Sequence, residues 1–463
     1  MFKIKVIQKD YMTYFLRFLL MKFTDWITKD TKNVLLVEPN FPIPNKSRNH
    51  SNFLPIGLLK IAAYLKSKNI KVKLIRFEEN KDEDYGQTTL EIKKEKDTFV
   101  PDLICVTSIF TYWSEHVKNA VFYYRNKYKS VPILVGGVYA SLMPEHCKSY
   151  TGCTDVIQGP IPEAEDLFPD YSLVDVDYQI IHTTRGCIRK CGFCGTYKIE
   201  PNWTCKRSIR KQIEAEPNKK KIIFYDNNLL ANENIVNILE ELKELKDEKK
   251  INYVESQSGF DGRILRKKPC LAKMLNDAGF KNPKIAWDYG LVQAPKIKEQ
   301  IDLLIAAGFT AKEISIFMIY NYEPNYEEME KKRVKCAEWG VQITDCRYRP
   351  LDATFDNYSS FKTKGQTSED YYIHEECGWT DQKIRKFRRN IRRHNICMRH
   401  EVDYHSTILE RKQIPQEQAK DLREKSFNEI KKNYSDILPD AWSPLVEHPW
   451  DEQDYFKINK KKN

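Results

Sequence analysis

The chain has 463 residues, of which 41% are hydrophobic and 30% charged, a composition that excludes a disordered or fibrous protein and predicts two or three globular domains. No run approaches the roughly 18 apolar residues of a membrane-spanning helix, no cleavable signal pattern opens the chain, and a cytoplasmic protein is expected. The net charge of +11 permits an anionic partner without naming one, and the twelve cysteines are scattered along the chain, as in reducing compartments where close-set thiols hold metal more often than they pair.

Residues 1–32 form an N-terminal extension. Within it Tyr11–Ile27 alternates apolar and basic residues at roughly helical spacing, a pattern shared by helices lying on a membrane surface and helices packed on their own protein. From Asn33 the pattern becomes regular. NVLLVEPN is a short apolar run ending in a turn, LPIGLLKIAAYLKSKN an amphipathic helix, and KVKLIRF an alternating strand. After a solvated Lys/Glu-rich stretch from Glu78 to Asp97 come PDLICVTSIF as a buried strand, HVKNAVFYYRNKYK as a helix, and PILVGGVYAS as a strand running into a Gly-Gly turn. Strands alternating with helices predict a doubly wound parallel sheet with its ligand at the carboxyl ends of the strands. Those ends carry Pro39, Asn40, Thr107, Ser108, Gly136 and Gly137.

The order PIGLLKIAAYL, ICVTS, VGGVYASLMPE over residues 33–165 resembles the Rossmann-like cobalamin-binding domain that precedes many radical SAM enzymes. The resemblance implies that the six strand-end residues contact cobalamin. The D-x-H-x-x-G signature, whose histidine ligates cobalt, is absent, and neither His50 nor His116 sits in a matching context. The domain therefore resembles those that hold cobalamin without a histidine ligand. A flavodoxin-like domain that docks or binds another ligand has the same pattern.

GPIPEAEDLFPDYSLVDVDYQ is acidic and bears prolines, and residues 166–177 are expected to be a linker. Then IIHTTRGC is a strand leading straight into Cys187, Cys191 and Cys194, spaced C-x3-C-x2-C. A cubane iron–sulfur cluster has four irons, each needing a ligand beyond its sulfides. Three thiolates leave one iron open to a small molecule. A zinc site with Cys205 as fourth ligand is the competing arrangement.

The spacing, with Phe193 just before the last cysteine, resembles the radical SAM signature. That resemblance implies a 4Fe–4S cluster whose open iron chelates S-adenosylmethionine (SAM), cleavage of SAM to a 5'-deoxyadenosyl radical, and an electron donor such as flavodoxin or ferredoxin. Five further strands, KKIIFYDNNLL, INYVESQSGFDGRIL, PKIAWDYG, EISIFMIYNY and VQITDCRYRPL, complete six β/α units over residues 178–351 and predict a partial (β/α)6 barrel with its site at the strands' carboxyl ends. Those ends carry Asp226, Asn227 and Asn228; Ser256, Gln257 and Ser258, then Asp261 and Arg263; Asp288; Asn321; and Asp345, Arg347 and Arg349. By resemblance, Phe193, Asp226, Asn227, Gln257, Ser258, Arg263 and Asp288 are the candidates for SAM.

Residues 352–463 are expected to form a mainly helical, basic C-terminal region in which Arg385, Arg388, Arg389 and Arg392 share one helix face. With Arg347, the residues Arg388, Arg389 and Arg392 are candidates for an anionic small substrate. A solvated cap and nucleic-acid binding are the competing uses of such a run, but no RNA-binding module accompanies it. The expected protein is a cobalamin-type radical SAM enzyme acting on a small molecule, with C-methylation as the outcome, or radical rearrangement with cobalamin as a bystander.

Overall fold

The computed structural model describes residues 22–43, 53–76, 99–362 and 364–401, with a few positions between 404 and 444. Tyr11–Met21, His50, the Glu78–Asp97 stretch and the C-terminal KINKKKN lie outside the described residues. The chain divides into two compact units, the first comprising Met1–Val176, Cys194–Pro201 and Leu351–Asp356, the second Asp177–Phe193, Asn202–Pro350 and Asn357–Asn463.

In the first unit, β1 (Asn33–Glu38), β2 (Lys71–Arg76), β3 (Leu103–Ser108), β4 (Ile133–Gly137) and β5 (Asp155–Ile157) form one sheet in the order β2-β1-β3-β4-β5. All pairings are parallel. The inner strands are apolar at successive positions because both faces are covered. Leu35, Val37, Ile104, Val106, Ile133 and Val135 pack on one side with Val117, Val121 and Tyr124 of α2 (Ser114–Lys127). Their strand neighbours Val34, Leu36, Leu103, Cys105 and Leu134 pack on the other with Leu58, Ala62 and Leu65 of α1 (Ile56–Ser67). Strand order reverses between β1 and β3, the switch point where such sheets bind ligands. Two short helices, α3 (Val138–Leu142) and α4 (Pro144–Thr151), follow β4. The expected linker is not a free spacer. Its Asp170 amide donates to Leu59 O at 3.0 Å, Lys66 pairs with the Asp170 carboxylate at 2.5 Å, and Tyr171 is buried.

In the second unit, β6 (Tyr178–Ile181), β9 (Lys221–Phe224) and β10 (Tyr253–Ser256) form one parallel trio with β9 central. A second trio consists of β11 (Lys284–Ala286), β12 (Ser315–Tyr320) and β13 (Gln342–Arg347), with β12 central. Single parallel bridges, Val254 to Phe280 and Phe260 to Ile285, connect the trios. The strands alternate with α5 (Arg210–Glu214), α6 (Ile235–Asp247), α7 (Gly262–Lys267), α8 (Cys270–Asp277), α9 (Ala294–Ala306) and α10 (Tyr326–Glu338). This is the six-unit β/α architecture expected from the alternation. Between β6 and β9 lies a small antiparallel hairpin, β7 (Thr184–Arg185) with β8 (Thr204–Cys205), which flanks the cysteine stretch and which periodicity did not predict. Nor is the basic region a separate body. In α11 (Asp381–His400), Ile384, Phe387 and Ile391 recur at steps of three and four and join the barrel's own core.

Candidate active site

The turn between β6 and the first cysteine is fixed by the end of β9. Asp226 is fully buried. Its Oδ1 accepts from Thr183 N at 2.9 Å, Thr183 Oγ1 at 2.7 Å, Thr184 N at 2.6 Å and Thr184 Oγ1 at 2.7 Å. Burial raises its pKa against the pull of those donors. Its Oδ2 is buried without a hydrogen-bond partner among the described residues. Asn232 supports the same turn, its Nδ2 donating to Thr183 O at 3.3 Å and Lys206 O at 3.1 Å. Within the chain, then, Asp226 positions the strand that delivers the cysteines.

Cys187 Sγ accepts from the Arg189 amide at 3.4 Å and lies 4.0 Å from Asn228 Nδ2. Asn228 Nδ2 also donates to Asp261 Oδ2 at 3.2 Å. Asp261 caps α7 and accepts from Arg263 Nε at 2.8 Å and Arg189 Nε at 3.0 Å. Burial works against its charge, but these two guanidiniums hold its carboxyl below the ordinary value. Arg263 lies within electrostatic reach of Cys191, whose thiol also meets the Tyr289 hydroxyl. Cys194 Sγ lies 3.3 Å from Thr196 Oγ1. All three cysteines are half-exposed, unlike Cys105, Cys147, Cys153, Cys336 and Cys397, which are buried. Among the described residues no three His, Cys, Asp or Glu side chains converge as the ligands of one ion do. Cys205, weighed as a fourth zinc ligand, lies 3.9 Å from Asn234 Nδ2. The donor set, three accessible thiols with amide and guanidinium groups beside them, fits an anionic cluster whose thiolates attach to separate irons.

Of the other strand-end candidates, Asn227 is exposed, and the residue that reaches Cys187 is its neighbour Asn228. Gln257 donates to Glu255 Oε1 at 3.3 Å and Ser258 is exposed. Asp288 follows β11, where burial, opposed by Lys332 and Arg263, raises its pKa to about 6. Lys332 is fully buried beneath it, donating to Trp287 O at 2.7 Å and Tyr289 O at 3.0 Å, and burial brings its pKa down to about 8.

Asn321 proves to be a fastener. At φ 59° its Nδ2 donates to Tyr348 O at 3.3 Å and Tyr372 O at 2.9 Å, while its Oδ1 accepts from His374 N at 2.9 Å. It thereby gathers Tyr322, Tyr348, Tyr372 and His374 at the ends of β12 and β13. Sequence reading missed all four, because rings scattered over residues 322–374 carry no spacing signal.

In the first unit, Ser108 Oγ donates to Gly136 O at 2.7 Å and accepts from Ala140 N at 3.1 Å, joining the ends of β3 and β4. Gly137 has φ 100°, and a Cβ there would lie 2.1 Å from Ser108 O, so glycine is required. Pro39 is buried, whereas Asn40, Thr107 and Gly136 are half-buried and Gly137 is exposed. An aromatic group not singled out from sequence flanks the switch point. Phe41 stacks on Trp113 at 5.6 Å and Phe110 on Tyr112 at 5.0 Å.

The arginine run is largely tied down. Arg385 Nε donates to both Asp381 oxygens and its Nη2 to Gln366 Oε1 at 2.7 Å. Arg388 lies 3.8 Å from Asp345 and 4.9 Å from the Tyr358 ring centre, against which Arg347 also packs at 4.6 Å. Arg389 is half-buried and Arg392 exposed.

Residues 50–168 match the family model of the B12 binding domain. Two solved structures of TsrM from Kitasatospora setae, a radical S-adenosylmethionine methyltransferase, resemble the chain. One, with cobalamin and a 4Fe–4S cluster bound, is 14% identical at a TM-score of 0.51, covering 70% of this chain and 77% of that one. The other, with tryptophan substrate and the SAM analogue aza-SAM bound, is 13% identical at a TM-score of 0.50, covering 70% and 75%. The chain has the fold of a B12-dependent radical SAM enzyme. A search of curated proteins by sequence finds no match. No described helix is long and apolar enough to cross a membrane.

Proposed function

We propose that the protein is a cytoplasmic, cobalamin-dependent radical SAM enzyme that methylates carbon in a small molecule. One observation carries this reading: a C-x3-C-x2-C stretch follows the first strand of a six-unit β/α barrel, in a chain that also carries a B12 binding domain. Cys187, Cys191 and Cys194 would hold the 4Fe–4S cluster, and Asp226 keeps their turn in register through Thr183 and Thr184. Phe193, Asn227, Gln257, Ser258, Arg263 and Asp288 are the residues offered to SAM, with the buried Asp226 Oδ2 as a further acceptor. Pro39, Asn40, Thr107, Ser108, Gly136 and Gly137 line the strand ends offered to cobalamin. When bound, these groups supply a 5'-deoxyadenosyl radical and a methyl donor for carbon. An electron donor such as flavodoxin or ferredoxin reduces the cluster. The tryptophan bound by the solved neighbour supports a substrate of amino-acid size.

The test is turnover by anaerobically reconstituted protein with SAM, cobalamin and a reductant, using candidate small molecules as substrates. Formation of 5'-deoxyadenosine together with S-adenosylhomocysteine supports methylation. 5'-Deoxyadenosine alone supports rearrangement, and neither product removes the enzymatic reading.

A further inference from the structure

The anionic substrate expected from the arginine run has a competitor at the barrel's strand ends. The rings of Tyr322, Tyr348, Tyr372 and His374 form a closed circuit, with centroid separations of 4.5 Å, 5.8 Å, 5.9 Å and 6.2 Å around it. The circuit adjoins the cysteine stretch. Phe193 packs edge-on against Tyr322 at 5.8 Å, and a Cβ on Gly192 would lie 3.4 Å from the Tyr322 hydroxyl. Two exposed carboxylates border it, Glu323 beside the Tyr322 hydroxyl and Glu376 beside Tyr372. His374 presents Nε2 to Cys377 Sγ at 3.6 Å, while its Nδ1 is buried with no hydrogen-bond partner among the described residues.

Tyrosine faces carry the negative lobe of the ring quadrupole and attract cations, most strongly where water is partly excluded. Carboxylates at the border add countercharge, and a buried imidazole nitrogen lacking a partner costs free energy until a donor reaches it. The guanidiniums of Arg385 and Arg388 are by contrast already engaged by Asp381, Gln366, Asp345 and Tyr358.

We infer that this tyrosine-walled site receives a positively charged amino group of the substrate, with Glu323 and Glu376 as countercharges and His374 Nδ1 as an N–H acceptor. The inference rests on the proposed function only in taking the strand ends as the place of entry. It assigns the substrate class as an amine, held beside the residues between the second and third cysteines.

The experiment is calorimetric titration of reconstituted protein with three near-isosteric probes: phenethylammonium, phenethyl alcohol and phenylacetate. The ammonium is expected to bind about tenfold more tightly than the alcohol, with phenylacetate weakest. Glu323→Gln and Tyr348→Leu should each remove most of that preference without changing iron content. Equal binding of ammonium and alcohol, a preference for phenylacetate, or a preference untouched by both substitutions would overturn the inference. Because the titration reads binding alone, its result stands apart from whether the protein cleaves SAM.

Discussion

Replacing Asp226 separates its two possible tasks. Asp226→Ala leaves the Thr183 and Thr184 amides without their acceptor in a buried turn, along with the two hydroxyls that donate to the same oxygen. Each stranded amide costs about 1–3 kcal/mol, so the loss should be about 2–6 kcal/mol before the hydroxyls are counted. Asp226→Asn keeps a carbonyl oxygen for all four donors and changes only the atom that is unpartnered in the chain. Burial raises the Asp226 pKa, so removing its charge relieves a desolvation cost at neutral pH, and Asn should be as stable as wild type or more so. Urea denaturation measures stability, and iron content after anaerobic reconstitution reports whether the cysteine turn is intact. Ala should lose both; Asn should keep both and lose affinity for SAM if Oδ2 takes its amino group. Wild-type stability and iron content in Asp226→Ala would refute the positioning role.

Cys191→Ser should lose the cluster and SAM cleavage while Cys205→Ser retains both, as iron analysis and product chromatography would show; a zinc site would make the two behave alike. Gly137→Ala puts a side chain at φ 100° and against Ser108 O, which should cost at least ~2 kcal/mol and weaken cobalamin retention on gel filtration, with barrel iron content unchanged. His394 is buried, donates to Val341 O and has its pKa brought down to about 3, chiefly by burial, from the ordinary 6.5. Below pH 6.5 the unfolded chain takes up a proton that the folded chain refuses, so this group should cost ~1.4 kcal/mol of stability per pH unit as pH falls towards 3. Removing the imidazole in His394→Gln should flatten that part of the urea-midpoint profile.

The periodic features of the chain were legible because they are local. Continuous apolar runs such as NVLLV and IIF mark strands buried on both faces, and three thiols within eight positions announce their chemistry by spacing alone. Partnerships across sequence were not legible. YDNN at the end of β9 reads as three interchangeable polar residues until Thr183 and Thr184 are seen to claim Asp226 and Cys187 to meet Asn228. The arginines of α11 read as free charge because Asp345, Tyr358 and Gln366, which engage them, lie 19 to 43 positions away. The two-residue strands β7 and β8 are too short for any periodicity. An acidic, proline-bearing segment reads as a linker because composition does not show that Asp170 bonds to Leu59 and Lys66 of α1.

The most direct test of the central claim is iron, sulfide and SAM-derived product measured together on anaerobically reconstituted protein. The account predicts about four irons per chain, cleavage of SAM on reduction, and loss of both in Cys187→Ser, Cys191→Ser and Cys194→Ser. Stoichiometric zinc without iron–sulfur absorbance, or an intact cluster that leaves SAM uncleaved with every reductant and substrate supplied, would contradict it.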